Sequence, residues 1–267
     1  MNYSTLKGTI YGAACGDALG VPYLQKVRDS FKCEPTMVED RRRNRPAGTW
    51  SDSISLMLAT CDSIRELGVI NPKDILDKFG LWHYTNKYAC DEEQVKDSDA
   101  STIIAITTRK SQCKEDDNDS GPLLRIAPLA YFDTTYNTVS EVVSITHGYW
   151  DVNQTCVEFI YLLSDIINNQ ILKEDIFNIL PDLKTAYRNQ LHNDNTVKDI
   201  FTSALWCFTH TDTYKDCVIE AVNLGGYTNK TSCLAGTIAG TYYGYDAIPT
   251  EWIDILRNKE IIDSCLF

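Results

Sequence analysis

The chain has 267 residues, 43% of them hydrophobic and 10% aromatic, which suits one large core or two modest domains and excludes a disordered polypeptide. A formal charge of −12 with a pI near 4.7 argues against a nucleic-acid or anionic-membrane surface as partner. The first residues, MNYSTLKGTIYG, lack a basic region followed by a long apolar stretch, and no apolar run reaches membrane-spanning length, so a soluble cytoplasmic protein is expected.

Residues 3–20 carry Leu6, Ile10, Ala13/Ala14 and Asp17/Ala18 on successive helical turns. Gly8, Gly12, Gly16 and Gly20 weaken that helix unless a second helix packs closely on it. Asp17 lies among these small residues and needs hydrogen-bond partners if buried. Val21-Pro22 ends the helix, and residues 21–50 read as a long connection holding a basic run, Arg41-Arg42-Arg43 with Arg45. Ser51, Asp52 and Ser53 are natural N-terminal caps for a helix over Ile54–Val69, and a further helix starts near Pro72.

Residues 86–121 are polar, with helical spacing at Ser101–Arg109. Asp116–Gly121 matches the start of a calcium loop, but Ala127 stands where the twelfth-position Glu is required. Helices are then expected at Pro122–Tyr131, Val139–Thr146, Val152–Ile167 and at about 173–180, 196–208, 214–224, 230–244 and 250–257. In the stretch Ala221–Gly244, Gly225-Gly226 break one helix, and Tyr227–Thr231 form the entry to the next, where free N–H groups face whatever lies opposite. The 10 cysteines form no CxxC pair or zinc spacing, which points to free structural thiols in a reducing compartment. Strand signals are sparse, so the expected architecture is all-α: one compact multi-helix domain over residues 1–267, with functional loops at one end.

Four segments in this order resemble the ADP-ribosylglycohydrolase family: Gly12–Tyr23, Gly48–Leu58, Ser120–Leu129 and Ala221–Gly240. Thr146-His147 and Ile248-Pro249 followed by Trp252 agree, so the resemblance spans essentially the whole chain. It implies an all-α domain that binds ADP-ribose in a cleft over two magnesium ions and cleaves it from a modified side chain or small molecule. The family's metal ligands come from a Thr-Asp-Asp run, a later Asp-x-Asp-Thr run, and a Glu after the first helix. This chain has Ser51-Asp52-Ser53, Tyr227-Thr228-Asn229-Lys230 and Leu24 there, so of five expected carboxylates only Asp52 remains.

Magnesium takes hard oxygen ligands, and two adjacent dications repel unless several carboxylates offset them. The paired-metal site is therefore expected to be absent, with no cofactor and no metal ligand assigned. Lys230 would stand in for a metal by charge and Asp52 would serve as base. The resemblance also implies a phosphate nest at Ser120-Gly121, shortened by Pro122, a histidine near the phosphates at His147, and close backbone approach to the ribose at Gly225-Gly226. Ser51, Ser53, Tyr227 and Asn229, at the altered positions, complete the expected ligand-binding set, while Asp97-Ser98-Asp99 replaces an Asp-x-Gly run. Trp50, Tyr149, Trp150 and Tyr227 are candidates for stacking on a ring.

The leading expectation is a protein that binds an ADP-ribose-containing small molecule or ADP-ribosylated target without the two-magnesium hydrolysis, in a sequestering, sensing or immunity role. An active hydrolase with altered, metal-independent chemistry is the alternative. A structural or interaction protein with an occluded cleft is the third.

Overall fold

The computed structural model describes residues 3–91 and 98–267. Its helices are α1 (Tyr3–Gly20), α2 (Asp52–Leu67), α3 (Pro72–Thr85), α4 (Ala100–Thr108), α5 (Gly121–Arg125), α6 (Tyr136–Val143) and α7 (Trp150–Ile167). They continue as α8 (Ile176–Ile179), α9 (Asp182–Thr185), α10 (Val197–Thr209), α11 (Tyr214–Asn223), α12 (Thr228–Tyr243), α13 (Thr250–Ile255) and α14 (Lys259–Cys265). Extended pairing among the described residues is limited to isolated bridges such as Asp40–Arg45 and Asp119–Thr196. The expected all-α class is what the chain adopts.

The centre of the fold is an antiparallel seam between α1 and α12. A Cβ added at Gly12 would lie 2.3 Å from the Gly236 carbonyl oxygen, and one at Gly8 2.5 Å from that of Gly240, so the two backbones touch. Hydroxyls tie the seam further: Ser232 Oγ donates to the Gly16 carbonyl at 2.6 Å and Thr228 Oγ1 to that of Gly20 at 2.8 Å. This close approach offsets the helix propensity that the glycines cost. It also brings the C-terminal end of α1, with Asp17, beside the N-terminal end of α12, with Asn229. Around the seam, Leu6, Ile10, Ile54, Leu58, Phe159, Leu205 and Ile238 belong to one contiguous apolar core.

The element boundaries depart from the sequence expectation where local signals are weak. The helix expected at about 230–244 starts two residues earlier, at Thr228, so Asn229 lies in its first turn with Lys230 and not in the turn before it. The segment Pro122–Tyr131 divides at Ile126 into α5 and a 3-10 turn, Ala127–Tyr131, in whose first positions Pro128 lacks the N–H that would continue α5. Nine of the ten cysteines are buried and all are free; Cys113 is exposed. Burial pushes thiols such as Cys33 upward, to about 12, as expected of inert core thiols. No helix of the described residues is long and apolar enough to cross a membrane.

Candidate functional site

One cleft, of about 330 Å3, gathers most of the altered positions: Leu24, Ser51, Asp52, Tyr227, Asn229 and Lys230 line it. The remaining walls are Gln25, Arg43, Arg45, Ser98, Asp99 and Asn195. A larger space of about 920 Å3, lined by Thr85, Cys90, Asp91 and Arg257 among others, holds none of the expected site residues.

The floor of the cleft is built on the α2 cap. Ser51 caps α2, accepting from the Ser53 N–H at 3.3 Å, and it donates both its N–H and its hydroxyl to Asp17, each at 2.7 Å. Asp17 is fully buried, and both its oxygens are engaged by Ser51. Burial pushes its pKa up to about 7, with Asp52 adding to the shift and the two Ser51 bonds opposing it. Asp52, next in the chain, faces the cleft. Burial raises its pKa and Asp99 reinforces this, while a hydrogen bond from Ser98 and the charge of Lys230 pull the other way.

Lys230 projects from the first turn of α12, where its ammonium donates to Asn195 Oδ1 at 2.6 Å and lies 5.5 Å from the centre of the Tyr227 ring. Asn195 Oδ1 also accepts from Ser120 Oγ at 3.1 Å, so this amide positions the lysine against the start of α5. Asn229 is 4% exposed; its Nδ2 points to Ser51 Oγ at 3.4 Å and its Oδ1 has no hydrogen-bond partner among the described residues. A buried acceptor left in that state costs about 1–3 kcal/mol.

Behind the cleft lies a buried polar network. His147 Nε2 is 2.9 Å from Asp119 Oδ2 and 3.4 Å from Asp99 Oδ1, and its Nδ1 is 2.9 Å from Thr146 Oγ1. Arg125, itself buried, donates to Thr102 and Thr146 hydroxyls. Asp99 caps α4 through the Thr102 N–H at 2.6 Å, and Asp119 accepts the Gly121 N–H at 2.9 Å. Burial acts to raise the Asp119 pKa, but His147, the Gly121 N–H and Lys230 outweigh it and hold the carboxyl below its usual range.

Several expected contacts are used by the protein itself. The Ser120 N–H donates to the Asn195 carbonyl at 3.0 Å and the Gly121 N–H to Asp119, so the Ser120-Gly121 turn presents no free donor pair. Gly225 and Gly226 do take left-handed φ values of 73° and 65°, but an added Cβ would strike Lys26–Arg28 and Asn193, so their close approach is to the chain's own backbone. Ser53 supports Ser51 from α2 and does not line the cleft, and His147 is fully buried. Trp50 is a core residue, Tyr149 precedes α7 and does not line the cleft, and Trp150 is 64% exposed on the surface, leaving Tyr227 as the candidate ring within the cleft. Asp97 lies outside the described residues. The sequence reading noted the basic run that holds Arg43 and Arg45 and the altered loop that holds Ser98 without assigning them to the site, and it did not include Asn195; all four lie in segments without periodicity, and the tertiary fold brings them here.

The ADP-ribosylglycohydrolase family model matches residues 2–266. The chain belongs to that family. It is 23% identical over 289 residues to the ADP-ribosylarginine hydrolase Tri1 of Serratia proteamaculans (strain 568), covering 97% of this chain and 76% of the relative. It is 24% identical over 266 residues to the ADP-ribosyl-[dinitrogen reductase] glycohydrolase of Rhodospirillum rubrum, covering 94% of this chain and 90% of that one. A solved ADP-ribosylglycohydrolase-related protein complex superposes with a TM-score of 0.81 at 22% identity over 98% of this chain and 95% of the other, a likeness of fold.

The family is normally metal-dependent, and two places in this structure bear on that. At the cleft, the donors among the described residues do not fit a magnesium pair: the carboxylates lining it are Asp52 and Asp99, Asn229 offers only a neutral oxygen, and Arg43, Arg45 and Lys230 share the walls. Separately, Asp99, Asp119 and His147 bring three ligand atoms within 4.8 Å of one another, a geometry able to hold one metal ion. The expectation of no metal ligand had not included this group. In the structure, hydrogen bonds to Thr102, Gly121 and Thr146 already engage all three residues.

Proposed function

We propose that this protein binds an ADP-ribose-containing nucleotide, or the ADP-ribosyl group of a modified target, and does so without the paired-magnesium hydrolysis of its family. Its role would be to sequester, sense or confer immunity, and with nine buried free thiols it would act in the cytoplasm. Nucleic acid and membrane surfaces are not its partners on this reading.

The observation that carries the proposal is the charge of the cleft: Lys230, held by the neutral Asn195 amide, and Arg45, with Arg43 whose charge is shared with Asp40 at 3.0 Å, stand against Asp52 and Asp99. Two dications about 4 Å apart repel strongly at any dielectric found in proteins, and only several carboxylates can hold them. A pyrophosphate has the opposite requirement and is favoured by fixed ammonium and guanidinium groups. Lys230, positioned by Asn195, is the point cation best placed to take a phosphate or ribose oxygen. Tyr227 beside it offers a ring face, and the cleft volume, at the small end for ligand sites, suits the ribose-phosphate part of the ligand.

Hydrolysis by metal-independent chemistry is the second reading, favoured by the upward shift of Asp52, which suits a general base. Calorimetric titration with ADP-ribose in magnesium and then in EDTA tests the proposal. The expected result is binding with the same Kd within about twofold in both buffers and no product. Affinity that collapses in EDTA overturns it, and release of free ADP-ribose from a modified substrate in EDTA transfers support to the second reading.

A further inference from the structure

Asn229 is buried, lines the cleft and has one polar atom without a partner among the described residues. Which atom this is follows from proton counting. Ser51 Oγ has one proton, and with Asp17 ionised that proton goes to Asp17 Oδ2 at 2.7 Å. Ser51 Oγ can then only accept from its other neighbours, the Ser53 N–H and the Asn229 side chain. The atom of Asn229 facing Ser51 is therefore the amide nitrogen, and the free atom is the carbonyl oxygen. The residue has no room to withdraw: a Cβ on Gly20 would lie 2.5 Å from the Asn229 Cα, so the α1–α12 seam fixes its backbone.

We infer that Asn229 Oδ1 is a specificity contact that accepts a hydrogen bond from a ligand hydroxyl, so that the cleft reads a sugar as well as an anion. This rests on the ADP-ribose reading above and deepens it. The chemistry divides between adjacent residues of α12. Lys230, a donor only, takes an anionic or lone-pair oxygen; Asn229 Oδ1, an acceptor only, needs a group that carries a proton. A fully ionised phosphate satisfies the first and not the second. A ribose hydroxyl satisfies the second, because it donates as well as accepts. A site built to pair a hydroxyl discriminates against an analogue lacking it, since the buried acceptor is then left alone.

The test uses calorimetry at pH 8, above the titration of Asp17, with ADP-ribose and with analogues lacking the 2- or the 3-hydroxyl of the terminal ribose. Wild type should bind at least one deoxy analogue about tenfold more weakly than ADP-ribose. Asn229→Ala should weaken ADP-ribose by a similar factor and bind that analogue no more weakly than ADP-ribose, whereas Asn229→Asp, which keeps an acceptor, should retain the preference. If wild type binds ADP-ribose and both analogues equally, the inference is overturned without recourse to any variant. If Asn229→Ala keeps wild-type affinity and preference, it is overturned while the ADP-ribose reading stands. A wild-type protein that binds none of the three overturns both.

Discussion

Replacing Lys230 by methionine removes one positive charge while keeping most of the side-chain volume. Its ammonium is held at 2.6 Å from Asn195 Oδ1 and is half-buried, so it meets an incoming ligand with little reorganisation. A hydrogen bond to a charged group is worth about 1.5–3 kcal/mol net, and each 1.4 kcal/mol is a factor of ten. Partial exposure screens the charge and places the expected effect toward the lower end, roughly 10- to 30-fold in Kd for ADP-ribose. The loss should be the same in magnesium and in EDTA and should shrink as salt is raised. Circular dichroism and melting temperature establish that the variant is folded. A folded Lys230→Met protein with unchanged affinity would remove the lysine from the ligand site and with it the argument that a side-chain cation serves where a metal would. Tighter binding in magnesium than in EDTA by that variant would go further, showing that the lysine had been excluding a dication.

Asp17 and the glycine seam give two further expectations. Between pH 4 and about 7 the folded protein retains a proton on Asp17 that the unfolded chain has released, so the stability this group contributes falls as pH rises through that window and is level above it. Denaturant melts of wild type and Asp17→Asn should therefore show a difference in unfolding free energy that declines, by a few kcal/mol at most, from pH 4 to 7; a difference that stays flat or climbs would contradict the assignment. Gly12→Ala places a methyl group 2.3 Å from the Gly236 carbonyl oxygen and 3.0 Å from the Gly240 Cα, both backbone atoms. It should cost about 3 kcal/mol, or roughly 10 °C in Tm, whereas Gly80→Ala, with nothing within 4 Å of the new Cβ, should be neutral or slightly stabilising. Equal melting temperatures for the two variants would show that the seam relaxes.

The seam was legible in the sequence because its signal is local: glycines four apart on α1, small residues at matching intervals on α12. The α2 start was legible for the same reason, since Ser51 is a good cap and does cap. The start of α12 was not, because Tyr227 is no cap former and makes no side-chain cap bond, so nothing in the sequence marks the first turn at Thr228. The expected start, near Lys230, lay two residues late, and Asn229 was consequently expected in the preceding turn. The site followed the same division. Asp52 and Lys230 were found from their motif positions, whereas Arg43, Arg45 and Asn195 occupy irregular segments whose side chains acquire a common direction only in the folded chain. The Asp99–Asp119–His147 group draws on three separate segments, and no spacing rule connects them.

The altered positions gain meaning from being in one place. Leu24, Ser51, Tyr227, Asn229 and Lys230 all line the cleft that holds Asp52, so their differences from the family pattern act on a single electrostatic environment. The carboxylates on the cleft walls among the described residues, Asp52 and Asp99, stand against Arg45 and Lys230, with Arg43 paired to Asp40, a balance that disfavours a pair of dications. On the proposed reading Lys230 supplies positive charge where the family's metals would, but as a hydrogen-bond donor without the capacity to activate water. That reading predicts retained binding of an anionic nucleotide without hydrolysis of the kind that depends on metal-activated water. The same reading gives the Asn229 Oδ1 acceptor, unpartnered among the described residues, its donor: on the inference drawn above, a hydroxyl of the bound sugar.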